Sequence, residues 1–226
     1  MVRTRWVGAL PVALAALAIF GCAHKKHARL PAPPAPSLGK SETGVASWYG
    51  HPYHGRPAAN GEIYDMEKLV AAHRTLPFDT WVRVVNLNNQ KSVEVRIIDR
   101  GPFVSGRIID LSHAAAQAID LIGPGIGPVR VEVIRSPQNV PAALFAVQVG
   151  AFRVRPNAET LRAEMAVRYG TARILSRPGS PGVWRVLVGA ETSEEAAAGL
   201  ARRIRAESSE KYTGFVVRID LGLVMQ

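Results

Sequence analysis

The sequence has a single cysteine, few aromatic residues and fewer acidic than basic side chains. One Cys in 226 residues excludes a disulfide within the chain and any metal site built from several thiolates. Aromatic residues make up only 7% of the chain, so each Trp or Tyr near a polar motif is a candidate for a specific contact. The excess of Lys and Arg gives a formal net charge of +10, which suits contact with a polyanion or an anionic membrane.

The apolar run from Val7 to Phe20 is too short to cross a bilayer. It follows two arginines and ends just before Cys22, and this order resembles a bacterial lipoprotein signal peptide over residues 1–22. The resemblance implies export to the cell envelope and lipidation of Cys22. Ala23 after the cysteine implies the periplasmic face of the outer membrane. The alternative is an ordinary signal peptide that leaves a free thiol.

Residues 23–43 are rich in Ala, Lys and Pro, with four prolines between positions 31 and 36. This composition cannot form a packed element and is typical of an extended, partly polyproline-like segment. We therefore predict a tether that separates the folded domains from the membrane.

Residues 44–136 show the pattern of a small barrel. Short segments of alternating apolar and polar residues are separated by turn residues, and Trp81 to Asn86 with Ser92 to Ile98 predict a hairpin around an Asn-Asn turn. Ser112 can cap one short helix. Many short strands with a single helix predict a mainly-β barrel fold.

A second, smaller domain is predicted over residues 142–222. The segment Phe145 to Ala151 recurs as Trp184 to Ala190, and each copy precedes a helical pattern. We predict that Asn157 caps the first helix and Ser193 the second. Further strand patterns complete the order βαββαβ of a ferredoxin-like α+β fold.

Asp99 is the first candidate for chemistry. It ends a strand in which Val95 and Ile97 share its parity, so the period of two predicts a carboxyl group on the core side of the barrel. Partial desolvation favours the protonated form of a carboxyl group, which can then donate a proton as a general acid. The alternative is a carboxylate that caps the Gly-Pro turn after it.

Two further groups could complete an acid–base cluster. Glu62 follows Gly61 in a polar segment, and His73 lies among small residues. Spacing alone does not bring either of them to Asp99. The alternatives are an exposed loop glutamate and a core histidine that is hydrogen-bonded to the backbone.

Three aromatic residues, Trp48, Tyr49 and Tyr64, flank these candidates. Aromatic faces can stack on the apolar faces of sugar rings, so their position predicts a cleft for a glycan. The alternative for Trp48 is packing in the core of the barrel.

Two long motifs connect these residues to a known family. One runs from Gly44 to Pro77 and contains Ala-Asn-Gly-Glu and Ala-Ala-His, and the other runs from Val95 to Ser112 and contains Asp-Arg-Gly-Pro. Both resemble the rare lipoprotein A family, whose domain is a double-psi β-barrel and whose members with established activity are lytic transglycosylases. The resemblance implies three catalytic residues and two substrate contacts within the same motifs: Asp99, Glu62 and His73, then Asn60 and Arg100.

Residues 142–222 resemble a SPOR domain, which binds glycan strands stripped of stem peptides at division septa. Gln148 matches the characteristic Gln of that domain, and its parity is opposite to that of its apolar neighbours, so it is expected to face away from the helices. Trp184 and Arg185 begin the third strand of the domain. All three are candidates for the glycan-facing surface, and the alternative for Trp184 is burial against the helices.

Together the resemblances imply an endolytic peptidoglycan lytic transglycosylase. It would cut between N-acetylmuramic acid and N-acetylglucosamine in denuded strands, leave 1,6-anhydro ends, and act in septal remodelling and daughter-cell separation. No metal or other cofactor is expected. The expected partners are denuded glycan, the membrane through the lipid anchor, cell-wall amidases and septal proteins. Nucleic acid is not expected, since the aromatic strand signature of RNA-binding folds is absent.

Three alternatives remain open at this point. A hydrolase on the same fold would use a second carboxylate to activate water. An expansin-like protein would bind peptidoglycan at the septum without cutting it. A structural septal protein would use the second domain for binding and the barrel as a spacer.

Overall fold

The computed structural model describes residues 32–176, 182–208, 212 and 214–221. The predicted signal peptide with Cys22 and the first part of the predicted tether lie outside the described residues. Within the described ranges, no helix is long and apolar enough to cross a membrane.

The first domain is a closed barrel with one short helix. Its elements are β1 (Ser41–Tyr49), β2 (Val70–His73), β3 (Trp81–Asn86), β4 (Ser92–Asp99), β5 (Arg107–Ser112), α1 (His113–Ala118) and β6 (Ile126–Arg135). The strands close in the order β1-β5-β2-β4-β3-β6, with parallel contacts between β1 and β5 and between β2 and β4. The predicted double-psi β-barrel is confirmed.

Alternation of apolar residues explains why these strands close around one core. Val82 and Val84 of β3 and Val95 and Ile97 of β4 are fully buried in it. A second, smaller cluster lies outside the barrel, where Ile98 packs with residues of the long connection 50–69. That connection therefore covers part of the outer barrel face.

The second domain is a four-stranded antiparallel sheet with two helices. Its elements are β7 (Ala143–Phe152), α2 (Arg155–Tyr169), β8 (Ala172–Ser176), β9 (Trp184–Glu191), α3 (Glu194–Glu207) and β10 (Phe215–Asp220). The strand order is β10-β7-β9-β8. This is the predicted βαββαβ arrangement, and the fold class is confirmed.

The helix caps agree with the prediction at one helix and differ at the other. Ser193 precedes α3, and its side chain accepts a hydrogen bond from the amide of Ala196. Helix α2 begins at Arg155 after Val154, which makes no side-chain cap, so the predicted cap at Asn157 is wrong. Pro156 in the first turn lacks an amide hydrogen, which suits the start of a helix, and the helix begins three residues earlier than a cap at Asn157 would place it.

One face of the sheet carries the helices and the other contacts the barrel. Phe103, in the connection between β4 and β5, packs against the outer face of the sheet and lies 6.2 Å from the ring of Phe215. The amide of Arg218 donates to the carbonyl of Arg74 at 3.0 Å. The two domains thus meet beside the end of β4, next to Asp99.

Candidate active site

A row of four residues in register crosses the outer face of the barrel. Ser47 of β1 pairs with Asp110 of β5, Asp110 pairs with Ala72 of β2, and Ala72 pairs with Asp99 of β4. Residues in register on neighbouring strands point to the same side of a sheet. Since strands lie about 4.8 Å apart, the backbones of the two aspartates are about 10 Å apart. Ala72 lies between the two aspartates in this row.

A bulge in β4 places Asp99 in this row. Ala71 pairs with Ile97, but Ala72 pairs with Asp99, so Ile98 is an extra residue in the strand. Without the bulge, the period of two would put Asp99 on the same side as Ile97, which lies in the core. The predicted core-side orientation of Asp99 is therefore wrong: its Oδ1 accepts from the amide of Ala59 on the outer connection.

The carboxyl group of Asp99 is held by the backbone. Its Oδ1 accepts hydrogen bonds from the amide of Ala59 at 3.0 Å and from the amide of Arg100 at 2.7 Å. Asp99 is thus fixed in position at the end of β4.

Asp110 is a second carboxyl group in the row, and it was not among the residues predicted from the motifs. Its neighbours Ile109 and Leu111 are fully buried in the core, so Asp110 points outward, and its side chain is 19% exposed. Burial raises the pKa of Asp110, and the negative charge of Asp99 adds to this. The hydrogen bond from the Ser47 hydroxyl and the charges of Arg107 and Arg74 act in the opposite direction. The signal in the sequence was a carboxylate between two core residues, Ile-Asp-Leu.

Glu62 is held in its ionised form near the end of β4. Arg96 donates from Nη1 and Nη2 to the two carboxylate oxygens at 2.7 Å each, and this pair lowers the pKa of Glu62. Asn60 adds a side-chain bond to Glu62 at 2.9 Å, and the Asn60 amide donates to the carbonyl of Ile98 at 3.1 Å. Glu62 therefore offers negative charge to the site, but it is a poor proton donor.

The structure does not bring His73 to the carboxylates of Asp99 and Asp110. His73 follows Ala72 in β2, so its side chain leaves the opposite side of the strand. Its Nδ1 accepts from the amides of Thr75 and Leu76 at 3.2 and 3.0 Å, which leaves the proton on Nε2, 2.6 Å from Oε1 of Glu42. Burial would raise the pKa of Glu42, but the bond from His73 and nearby positive charges lower it overall. His73 orders the turn after β2.

The aromatic residues fall into two groups. Tyr64 is only 2% exposed and donates to the carbonyl of Tyr49, so its predicted role in stacking on sugar is wrong. Tyr49 stacks on Tyr64, with the ring centroids 4.2 Å apart. Tyr53, which was not among the predicted residues, is 52% exposed and packs edge-on against Tyr49. Trp48 is half-buried and packs against the barrel core and against His113 at 5.6 Å.

Arg100 contacts the second domain instead of the outer row. Its Nη2 lies 2.6 Å from Oδ2 of Asp220, and both side chains are buried, with exposures of 8% and 4%. Its guanidinium also stacks on the ring of Phe78 at 3.7 Å. Burial lowers the pKa of Arg100 to about 10, partly offset by the charge of Asp220. Its predicted role in substrate contact is therefore wrong in this arrangement of the domains.

The three residues predicted to contact glycan in the second domain do not all lie on the same face of its sheet. Gln148 faces away from the helices as predicted, but it is only 4% exposed. Arg185 lies on the same face, with its guanidinium 5.7 Å from the ring of Phe103. Trp184 packs with the helix-side core and under Arg155, so the alternative of burial against the helices holds for it.

Two family models match the chain. Residues 41–131 match the model described as lytic transglycolase, and residues 141–218 match the model of the SPOR domain. The first segment contains the whole row of Ser47, Asp110, Ala72 and Asp99. The second covers the four-stranded sheet and its helices up to Arg218.

Curated relatives support the same family. A Campylobacter jejuni protein named endolytic peptidoglycan transglycosylase RlpA is 42% identical over 165 residues, which are 62% of this chain and 58% of that protein. A Vibrio cholerae protein of the same name is 55% identical over 96 residues, 42% of this chain and 36% of that protein. The chain thus spans less than two thirds of the length of these relatives.

Solved structures show only distant likenesses. The apo expansin of Clavibacter michiganensis is 16% identical and aligns over 69% of this chain and 81% of its own, with a TM-score of 0.37. The peptidoglycan binding domain of the B. subtilis cell wall lytic enzyme CwlC is 25% identical over 37% of this chain and 98% of its own, with a TM-score of 0.29. Both are too distant to assign any residue. On its two family segments and its curated relatives, the chain belongs to the rare lipoprotein A family.

Proposed function

We propose that this chain is an endolytic peptidoglycan transglycosylase that cuts glycan strands lacking stem peptides. The observation that carries the proposal is the row with two carboxyl groups, Asp99 and Asp110, on the outer face of the barrel. Cleavage of a glycosidic bond uses carboxyl groups that act on the anomeric carbon and the leaving oxygen. The row lies within the segment that matches the lytic transglycolase model, and the relatives described above bear the name of this activity.

The surroundings of the row suit a glycan strand. Tyr49 at the end of β1 and Tyr53 in the connection after it provide aromatic surface, and aromatic faces pack well on sugar rings. A strand without stem peptides carries the lactyl carboxylate of each muramic acid. The formal charge of +10 favours the approach of such a polyanion.

The proposed reaction passes through an oxocarbenium-like state at the anomeric carbon of N-acetylmuramic acid. The 6-hydroxyl of the same sugar closes on that carbon, which gives the 1,6-anhydro end without attack by water. Asp99 is the catalytic carboxylate at the scissile bond. Glu62, ionised through Arg96, adds negative charge that stabilises the cation.

The SPOR segment and residues 1–22 concern where the protein acts in the cell. We propose that the SPOR segment holds denuded strands and that Cys22 anchors the chain by a lipid to the outer membrane. Septal cell-wall remodelling is the proposed process, with amidases that strip stem peptides acting upstream. The support is the match of residues 141–218 to the SPOR model and the lipoprotein-like residues 1–22.

Products of denuded peptidoglycan test the proposal. The full chain, purified in detergent, is incubated with amidase-treated peptidoglycan, and soluble fragments are identified by mass spectrometry. We expect oligosaccharides with anhydro ends, and a loss of at least about 100-fold in Asp99→Asn, as expected when a catalytic carboxyl group is removed. Asp120→Asn, which removes a carboxylate from an exposed ion pair with Lys91, is the matched control and should keep full activity.

Two other results would contradict the proposal. Fragments with reducing ends would identify a hydrolase. Retention of glycan on the protein with no soluble product would identify an expansin-like binding protein with an inactive barrel.

A further inference from the structure

The side chain of Asp110 has specific neighbours at both of its carboxyl oxygens. The hydroxyl of Ser47, only 3% exposed, donates to Oδ1 of Asp110. The other oxygen, Oδ2, lies 3.5 Å from the position that a side-chain carbon at Gly101 would occupy. A larger residue at that position would contact the carboxyl group, and it would also lie 3.7 Å from the side chain of Ala72.

We infer that Asp110 is the proton donor of the cleavage reaction, that Ser47 is its positioning residue, and that Asp99 supplies negative charge to the cation. The inference rests on the proposed function and changes the residue that performs its first step. Asp99, which the sequence predicts to be the acid, becomes the electrostatic partner.

The charged groups around the two aspartates favour this division of roles. Asp110 faces Asp99 on β4, Arg107 on its own strand with Nε at 4.0 Å, and Arg74 after β2, while β1 contributes only the neutral Ser47. Burial raises the pKa of Asp110 and favours its protonated form. Asp99, by contrast, has one oxygen committed to hydrogen bonds from two backbone amides.

In the proposed reaction, Asp110 is the only side chain that gives up a proton and takes one back. Its carboxyl proton passes to the glycosidic oxygen, the bond to the anomeric carbon breaks, and the electron pair leaves with the N-acetylglucosamine hydroxyl. The cation at the anomeric carbon faces the negative charge of Asp99. The 6-hydroxyl oxygen then bonds to that carbon, and its proton passes to the Asp110 carboxylate, which restores the acid.

A substrate that needs no proton separates the two roles. The probe is a denuded disaccharide of N-acetylglucosamine and N-acetylmuramic acid with a dinitrophenoxy group on the anomeric carbon of the muramic acid, because dinitrophenolate leaves without protonation. The full chain and its Asp110→Asn, Asp99→Asn and Asp120→Asn variants are assayed on this probe and on denuded glycan. We expect Asp110→Asn to lose about 100- to 10,000-fold on glycan but to stay within roughly tenfold of the wild type on the probe. Asp99→Asn should lose activity on both substrates.

The wild-type protein provides a test that no folding defect can obscure. Its rate on glycan should fall as pH rises through the pKa of Asp110, and this alkaline limb should be absent on the probe. If the probe restored activity to Asp99→Asn but not to Asp110→Asn, the inference would be overturned and Asp99 would be the acid. A wild-type protein that cuts the probe and glycan with the same alkaline limb would also overturn it. Wild-type protein that cuts neither would overturn the proposed function itself.

Discussion

Ser47 shows how one small side chain can set the working pH of a site. It is buried beside Asp110, and its hydroxyl stabilises the ionised carboxylate through a hydrogen bond. The pKa of Asp110 is raised by burial against this opposing effect. Removing the hydroxyl therefore removes stabilisation from the charged form only, and the pKa rises further.

We predict that Ser47→Ala shifts the alkaline limb of kcat/KM on denuded glycan to higher pH. The sign follows because an acid with a higher pKa stays protonated, and thus active, over more of the alkaline range. Ser136→Ala is the matched control, since the Ser136 hydroxyl donates to the carbonyl of Pro36. Ser136 follows the end of β6, whose opposite end, Ile126, pairs with Ser47. A downward shift, or equal shifts in both variants, would contradict the assigned contact.

In strand β2, two adjacent residues lie on opposite sides of the strand and have different contacts. Ala72 lies between the two carboxylates of the row, whereas the next residue, His73, accepts amide bonds from the turn after the strand. The family motif places both in one short sequence, Ala-Ala-His, but the pleat separates their side chains. The position of His73 thus indicates a structural role.

We predict that His73→Ala destabilises the protein by about 2 kcal/mol or more, because two amides of the turn lose their buried acceptor. Urea unfolding measures the loss. His54→Ala is the control: His54 is half exposed and accepts one amide bond, from Met66, so its replacement should cost less. The pH limbs of residual activity in His73→Ala should match the wild type. If His73→Ala were as stable as the wild type but had an altered pH–rate profile, His73 would instead take part in the reaction.

At the scale of the whole molecule, the barrel covers the face of the sheet that carries Gln148. Phe103 packs on that face, and the buried pair of Arg100 and Asp220 joins the two domains. Asp220 also accepts from Arg218 at 2.7 Å. Removal of one partner from a buried ion pair leaves an uncompensated charge, which is costly.

We predict that Asp220→Asn weakens the domain contact by about 3–5 kcal/mol, the usual effect of breaking a buried pair. Small-angle X-ray scattering should show a larger radius of gyration. Because opening exposes Gln148 and Arg185, retention on denuded glycan should increase if the SPOR segment binds strands with that face. Glu94→Gln, which breaks the exposed pair with Arg83, should change the stability by at most about 1 kcal/mol and leave the scattering unchanged. Unchanged scattering in Asp220→Asn would show that the pair does not hold the domains together.

Local sequence patterns are enough to predict the architecture and the family. Alternating apolar residues specify the strands of both domains, the internal repeat specifies βαββαβ, and the motifs around Glu62 and Asp99 specify the family, because these patterns are local. Which side chains meet, however, depends on contacts between distant strands and between the domains. A bulge at Ile98 turned Asp99 to the outer face, and register across three strands brought Asp110 beside it. Long-range packing buried Tyr64 and Gln148 and turned Arg100 to Asp220. Such contacts depend on register and on domain packing, which no periodicity within a single segment encodes.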